Sequence, residues 1–103
     1  SYTKNEVIIN FYVDEKMKIE ICSFSPYCSK DDILHIFEKG YRGKNAKKIA
    51  DGSGVGLYFV KMLCDLHDIQ IEVSSDSSKI TNINSVAYAP FKVTLTMSNI
   101  YDV

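Results

Sequence analysis

Gly52, Gly54 and Gly56 stand at alternate positions and run directly into Leu57 and a stretch with helical periodicity. A helix start offers unpaired backbone N–H groups and positive dipole charge, and glycines let phosphate oxygens approach the main chain closely. Ser53 lies between the first two glycines. Lys39, Arg42, Lys44, Lys47 and Lys48 crowd the stretch just upstream, five of the chain's twelve cationic residues. Together they describe a phosphate cradle with an electropositive cover.

The spacing excludes the better-known cradles. There is no G-x-x-x-x-G-K-[ST], so the segment is not a P-loop. The dinucleotide fingerprint needs a third glycine one residue later and a hydrophobic strand before the first, but Lys39 to Asp51 is polar and basic. Glu72 and Asp76, near the spacing of a ribose-binding acid, read as solvated. Tyr41 alone offers too little aromatic surface for RNA, and a net charge of −1 predicts attraction to neither nucleic acid nor membrane.

The residues upstream are Ile36-Phe37-Glu38-Lys39-Gly40-Tyr41-Arg42-Gly43. In that order, I-F-E-K-G-Y-R-G and then G-S-G-V-G-L-Y resembles the phenylalanine box and second glycine box of sensor histidine kinases, members of the Bergerat-fold ATPase superfamily. The resemblance spans Ser23 to Ser75. It implies ATP and Mg2+ as ligands, an ATP lid over residues 44–53, and nucleotide contacts from Gly52, Ser53, Gly54, Gly56, Leu57, Ser23, Phe37, Tyr41, Arg42 and Lys44. Phe37 also suits a core position, and Tyr41 and Arg42 suit either the nucleotide or a partner domain. The implied reaction passes the γ-phosphoryl group of ATP to a histidine in a dimerisation region, and thence to a response regulator.

Ser1-Tyr2-Thr3 resembles the tail of the family's asparagine box, so the magnesium-binding Asn is expected outside these 103 residues. The chain accordingly reads as a C-terminal fragment of such a domain, with no catalytic residue or metal ligand of its own and little ATP affinity alone. His35 and His67 read as surface or helix-end histidines. At the first glycine box the family has Asp or Asn where Ser23 stands, Gly at Ser25 and an aliphatic residue at Cys28. Ser23 keeps an acceptor for the adenine amine but loses the charge. That departure keeps a second reading open, a degenerate ATPase-like module that binds or signals without turnover.

These residues need elements to hold them. Val7, Ile9, Phe11 and Val13 alternate toward Asp14-Glu15-Lys16, after which Met17, Ile19 and Ile21 share a face, predicting a β-hairpin. Ser29 and Asp32 have capping spacing, Ile33, Ile36 and Phe37 form a stripe, and Gly40 suits a left-handed helix end. A second helix is predicted from about Val55 to Leu66, with Leu57, Val60 and Cys64 inward and Tyr58, Lys61 and Asp65 outward. Asp68 takes the place of the glycine usual after it. Ile69, Ile71 and Val73 predict a strand. Asp76 to Pro90 predicts a polar loop with a short strand near Ile80 to Ile83, and Phe91, Val93, Leu95 and Met97 predict a final strand.

With 46% hydrophobic residues the chain fills one core, a single partial domain over residues 1–103. The expected class is α+β, a two-layer α/β sandwich of the Bergerat type with helices on one face of a mixed sheet and its N-terminal part missing. An edge left uncovered by that missing part predicts self-association as a dimer or larger. Cys22, Cys28 and Cys64 lack metal or disulfide spacing and read as reduced thiols of a cytoplasmic protein. No run approaches the roughly 18 apolar residues of a membrane span, so any anchor belongs to the parent protein.

Overall fold

The computed structural model describes residues 6–48 and 56–98. Strand β1 (Val7–Val13) turns at Asp14 and Glu15 into β2 (Lys16–Pro26). Helix α1 (Lys30–His35) follows, then a single 3-10 turn (Ala46–Lys48), helix α2 (Gly56–Leu66) and strand β3 (Gln70–Ser75). A second 3-10 turn (Ser77–Lys79) leads to β4 (Thr81–Ile83) and the long β5 (Val86–Ser98). The sheet runs β1-β2-β5-β3, with β4 paired to the start of β5.

Period-two alternation decides which face each side chain joins. Ile9, Ile21, Val93 and Val73 lie opposite one another in a row across the sheet, as do Phe11, Ile19, Leu95 and Ile71. The rows between them are polar, for example Asn10, Glu20, Thr94 and Glu72. One face is thus apolar and the other wet. Helix α2 packs against β3, at the edge farthest from β1. Val7, Ile9, Phe11 and Val13 are accordingly left 58%, 66%, 58% and 62% exposed.

Local chemistry fixes the helix ends. Ser29 and Asp32 form the full capping box at the start of α1, and Gly40 takes φ 80° after it. At the end of α2 the Ile69 amide reaches back to the Cys64 carbonyl at 2.8 Å while Asp68 holds φ 55°. That is a Schellman ending with a short polar side chain in the left-handed position.

Three expectations are corrected. Every pairing among the described residues is antiparallel, where a mixed sheet was expected. The stretch read as loop up to Pro90 is largely strand, because Asn84 (φ 51°) and Ser85 (φ 67°) make a two-residue turn that sends Val86 to Pro90 back along β4. Turns with both central residues at positive φ match the twist of a hairpin, and serine in the usual glycine position hides the signal. On α2, Cys64 is buried and Leu57 half-buried, but Val60 stays 37% exposed, so the inward stripe is narrower than its periodicity suggested.

Candidate functional site

Gly52, Ser53 and Gly54 fall outside the described residues, and so does the second half of the 44–53 segment. What is described is its approach and its exit. The exit is Gly56, the first residue of α2, and Leu57, half-buried behind it. Gly56 is exposed, its φ lies outside the left-handed region, and a Cβ placed on it would meet nothing within 4 Å among the described residues. Neither packing nor backbone conformation requires a glycine there. The free space lies at the N-terminus of a helix, where backbone N–H groups attract anions.

The approach is built on Asp32. Its side chain is 1% exposed and accepts from the Ser29 amide at 3.2 Å and from the Tyr41 hydroxyl at 2.5 Å, and the Lys44 backbone N–H also favours its charged form. Burial pushes its carboxyl upward, but these donors outweigh the effect and hold it below the usual carboxylate value. The same bond, reinforced by desolvation, raises the Tyr41 phenol to about 12, so it stays a donor throughout the neutral range. Gly43 is buried against this carboxylate, and a Cβ on it would stand 3.1 Å from Asp32 Oδ2. A side chain here would crowd the carboxylate and force it to shift by a few tenths of an ångström.

Asn45 makes a second tether. Its Nδ2 donates to the Tyr27 carbonyl at 3.0 Å, and its Oδ1 accepts from the Ala87 amide at 3.4 Å. Arg42 is half-buried and donates through Nη2 to the Ala46 carbonyl at 2.8 Å, closing the turn that leads into Ala46–Lys48. Lys44, Lys47 and Lys48 are exposed. The Lys39 ammonium lies 5.9 Å from the centre of the Tyr58 ring, which brings the end of the α1 region beside the first turn of α2.

Ser23 sits in β2 between Val7 and Phe91 on the apolar face, and its Oγ lies 2.9 Å from the Ser25 Oγ. The two hydroxyls satisfy one another. Phe37 is half-buried. His35 closes α1 and pairs through Nδ1 with Glu38 at 2.5 Å, which raises its pKa. The Cys28 thiol is pushed to about 11 by burial and by Asp32 nearby. The structure therefore brings Tyr41 to Asp32, turns Arg42 onto the Ala46 carbonyl, and leaves Ser23 on the sheet. A groove of about 1120 Å³ on the wet face is lined by Glu20, Cys22, Phe24 and Lys92 among others, and by none of the residues expected to touch nucleotide.

Asp32 and Asn45 are the positions sequence reasoning missed in this role. The S-x-x-D spacing gave Asp32 as a cap, but nothing in the sequence ties it to Tyr41 nine residues on. Asn45 carries no local signal at all, since both its partners are distant in sequence. Among the described residues no cluster of three or more His, Cys, Asp or Glu is placed to hold a metal.

No family model matches the chain. It is 25% identical over 76 residues to the sensor histidine kinase YxdK of Bacillus subtilis (strain 168), covering 73% of this chain and 23% of that protein. It is 40% identical over 63 residues to the sensor histidine kinase YvrG of the same organism, covering 61% of this chain and 10% of that protein. The chain thus spans about a quarter and a tenth of the relatives it matches. A mycobacterial sensor histidine kinase, MprB, has the same fold, with a TM-score of 0.63 and 19% identity over 91% of this chain and 60% of that one. The likeness to sensor histidine kinases is one of sequence and of fold.

Proposed function

We propose, from that likeness, that the chain is the C-terminal part of the ATP-binding domain of a sensor histidine kinase in a two-component system. The observation that carries the reading is Gly56, a glycine that the fold does not need, at a helix N-terminus facing open space. Backbone amides of Gly52, Gly54 and Gly56 would hold the phosphates of ATP, with Ser53, Arg42 and Lys44 beside them and Mg2+ held by an Asn outside this chain. Bound ATP supplies a γ-phosphoryl group, which an imidazole nitrogen of the dimerisation region attacks as ADP leaves. The chain's own contribution is position and charge. A response regulator is the onward acceptor, and the site works in the cytoplasm, with any membrane anchor elsewhere in the parent. No helix among the described residues is long and apolar enough to cross a membrane.

A second reading, a module that binds without turnover, draws on Ser23 and Ser25. Their hydroxyls face each other where the kinases carry a carboxylate and a glycine, so the adenine amine would lose a charged acceptor. Autophosphorylation of the full-length protein with labelled ATP separates the two. Gly56→Ala in that protein tests the site itself. Thermal stability is expected to hold or rise slightly, since alanine is the better helix former. ATP affinity is expected to fall about tenfold, the equivalent of ~1.4 kcal/mol, as the Cβ enters the space of the phosphate. Unchanged ATP affinity in a normally folded variant rules the site out.

A further inference from the structure

We infer that Asp32 is a positioning residue for the proposed phosphate site. It ties Tyr41 to the start of α1 and lies close against Gly43, and so holds the stretch on either side of Arg42. The inference rests on the nucleotide reading above and adds a part that reading does not contain. Asp32 does not touch nucleotide itself. Its carboxylate is 1% exposed, and its hydrogen bonds come from the protein.

The geometry shows why an acid is needed. Oδ1 takes the Tyr41 hydroxyl, and Oδ2 takes the Ser29 amide and faces Gly43. Both partners donate here, and an ionised carboxylate accepts at both oxygens with no proton of its own to place. An asparagine of the same shape would turn an N–H group toward one of the donors. Tyr41, which the carboxylate holds, and Gly43, which it faces, belong to the segment that leads to Gly52. Arg42 lies between the first two and closes its own turn on Ala46. Releasing the carboxylate therefore releases the two cations expected nearest the phosphates, Arg42 and Lys44. Asn45 holds the same segment from the other side, by way of Tyr27 and Ala87. The segment is clamped at two points before the glycines begin.

The role makes a division that a merely structural carboxylate would not. In the full-length protein, Asp32→Asn is expected to raise the KM for ATP about tenfold while kcat changes less than about threefold, because ground-state positioning of the phosphates is lost and the phospho-accepting histidine is untouched. Tyr41→Phe removes one donor and is expected to give a smaller rise, and the double variant less than the product of the two. Gly43→Ala, which presses a Cβ against Oδ2, is expected to raise KM in the same way without altering charge. In the 103-residue chain, amide exchange at Gly43 to Lys48 is expected to quicken in Asp32→Asn while the β2 and β5 amides keep their protection.

An unchanged KM with a lowered Tm makes Asp32 a cap and nothing more, and overturns the inference while the nucleotide reading stands. Equal loss of exchange protection across the whole sheet has the same meaning. If the unsubstituted full-length protein neither binds nor turns over ATP, the nucleotide reading fails and takes this role with it.

Discussion

Asp32 is a buried acid whose folded-state pKa lies below its ordinary value of about 3.9. The contribution of such a group to stability is complete above the unfolded-state pKa and is lost as pH falls through the folded one. Urea denaturation of this chain from pH 7 down to pH 2 should show the stability gap between the unsubstituted protein and Asp32→Asn narrowing only below about pH 4. A gap that stays constant to pH 2 would mean that the charge plays no part. Tyr41 has the opposite sign. Its phenol is raised to about 12 by the bond to Asp32, so the bond weakens only on the alkaline side, between the unfolded value near 10 and that figure.

Among the elements, the hairpin between β4 and β5 holds the most strain for its size. Ser85 takes φ 67°, a left-handed conformation that costs an L side chain roughly 1 kcal/mol. Ser85→Gly is expected to relieve it. Part of the gain is lost to the greater freedom of glycine in the unfolded chain, leaving a net stabilisation of about 0.5 kcal/mol. A rise in the urea midpoint at constant slope would be the sign of it, and a fall would mean that Ser85 makes a contact worth more than its strain. The effect should stay local, because β4 pairs with the first part of β5 only.

At the scale of the whole molecule, the outer strand β1 is the exposed feature. Val7–Val13 contains no charged residue, proline or glycine, pairs on one side only, and carries four large side chains more than half exposed on a single face. Edge strands of that kind invite pairing with another chain. This chain is expected to form dimers or larger species in light scattering at high concentration, and Phe11→Lys to shift it toward monomer by placing a charge on the edge. A monodisperse monomer at every concentration would count against the prediction.

The local elements were legible because their signals are local. Alternation gave the β1–β2 hairpin and the apolar rows of β3 and β5, and S-x-x-D gave the start of α1, whereas the helix stops at His35, well before the Gly40 expected to end it. The ordered phenylalanine and glycine boxes were enough to point to sensor histidine kinases before any coordinates. Tertiary structure decided what depends on partners far apart in sequence. Pro90 read as the end of a loop because proline lacks an N–H, yet the β3 ladder stops at the Ser75 to Phe91 pair, and Pro90 lies one residue beyond it. Val60 lies on the helical stripe but stays partly exposed, since α2 meets the sheet only near β3. The hydrogen bonds of Asp32 to Tyr41, and of Asn45 to Tyr27 and Ala87, exist only once a turn and two strands have been brought together. A carboxylate's donors are set by three-dimensional proximity, which no spacing rule for a single helix or strand encodes.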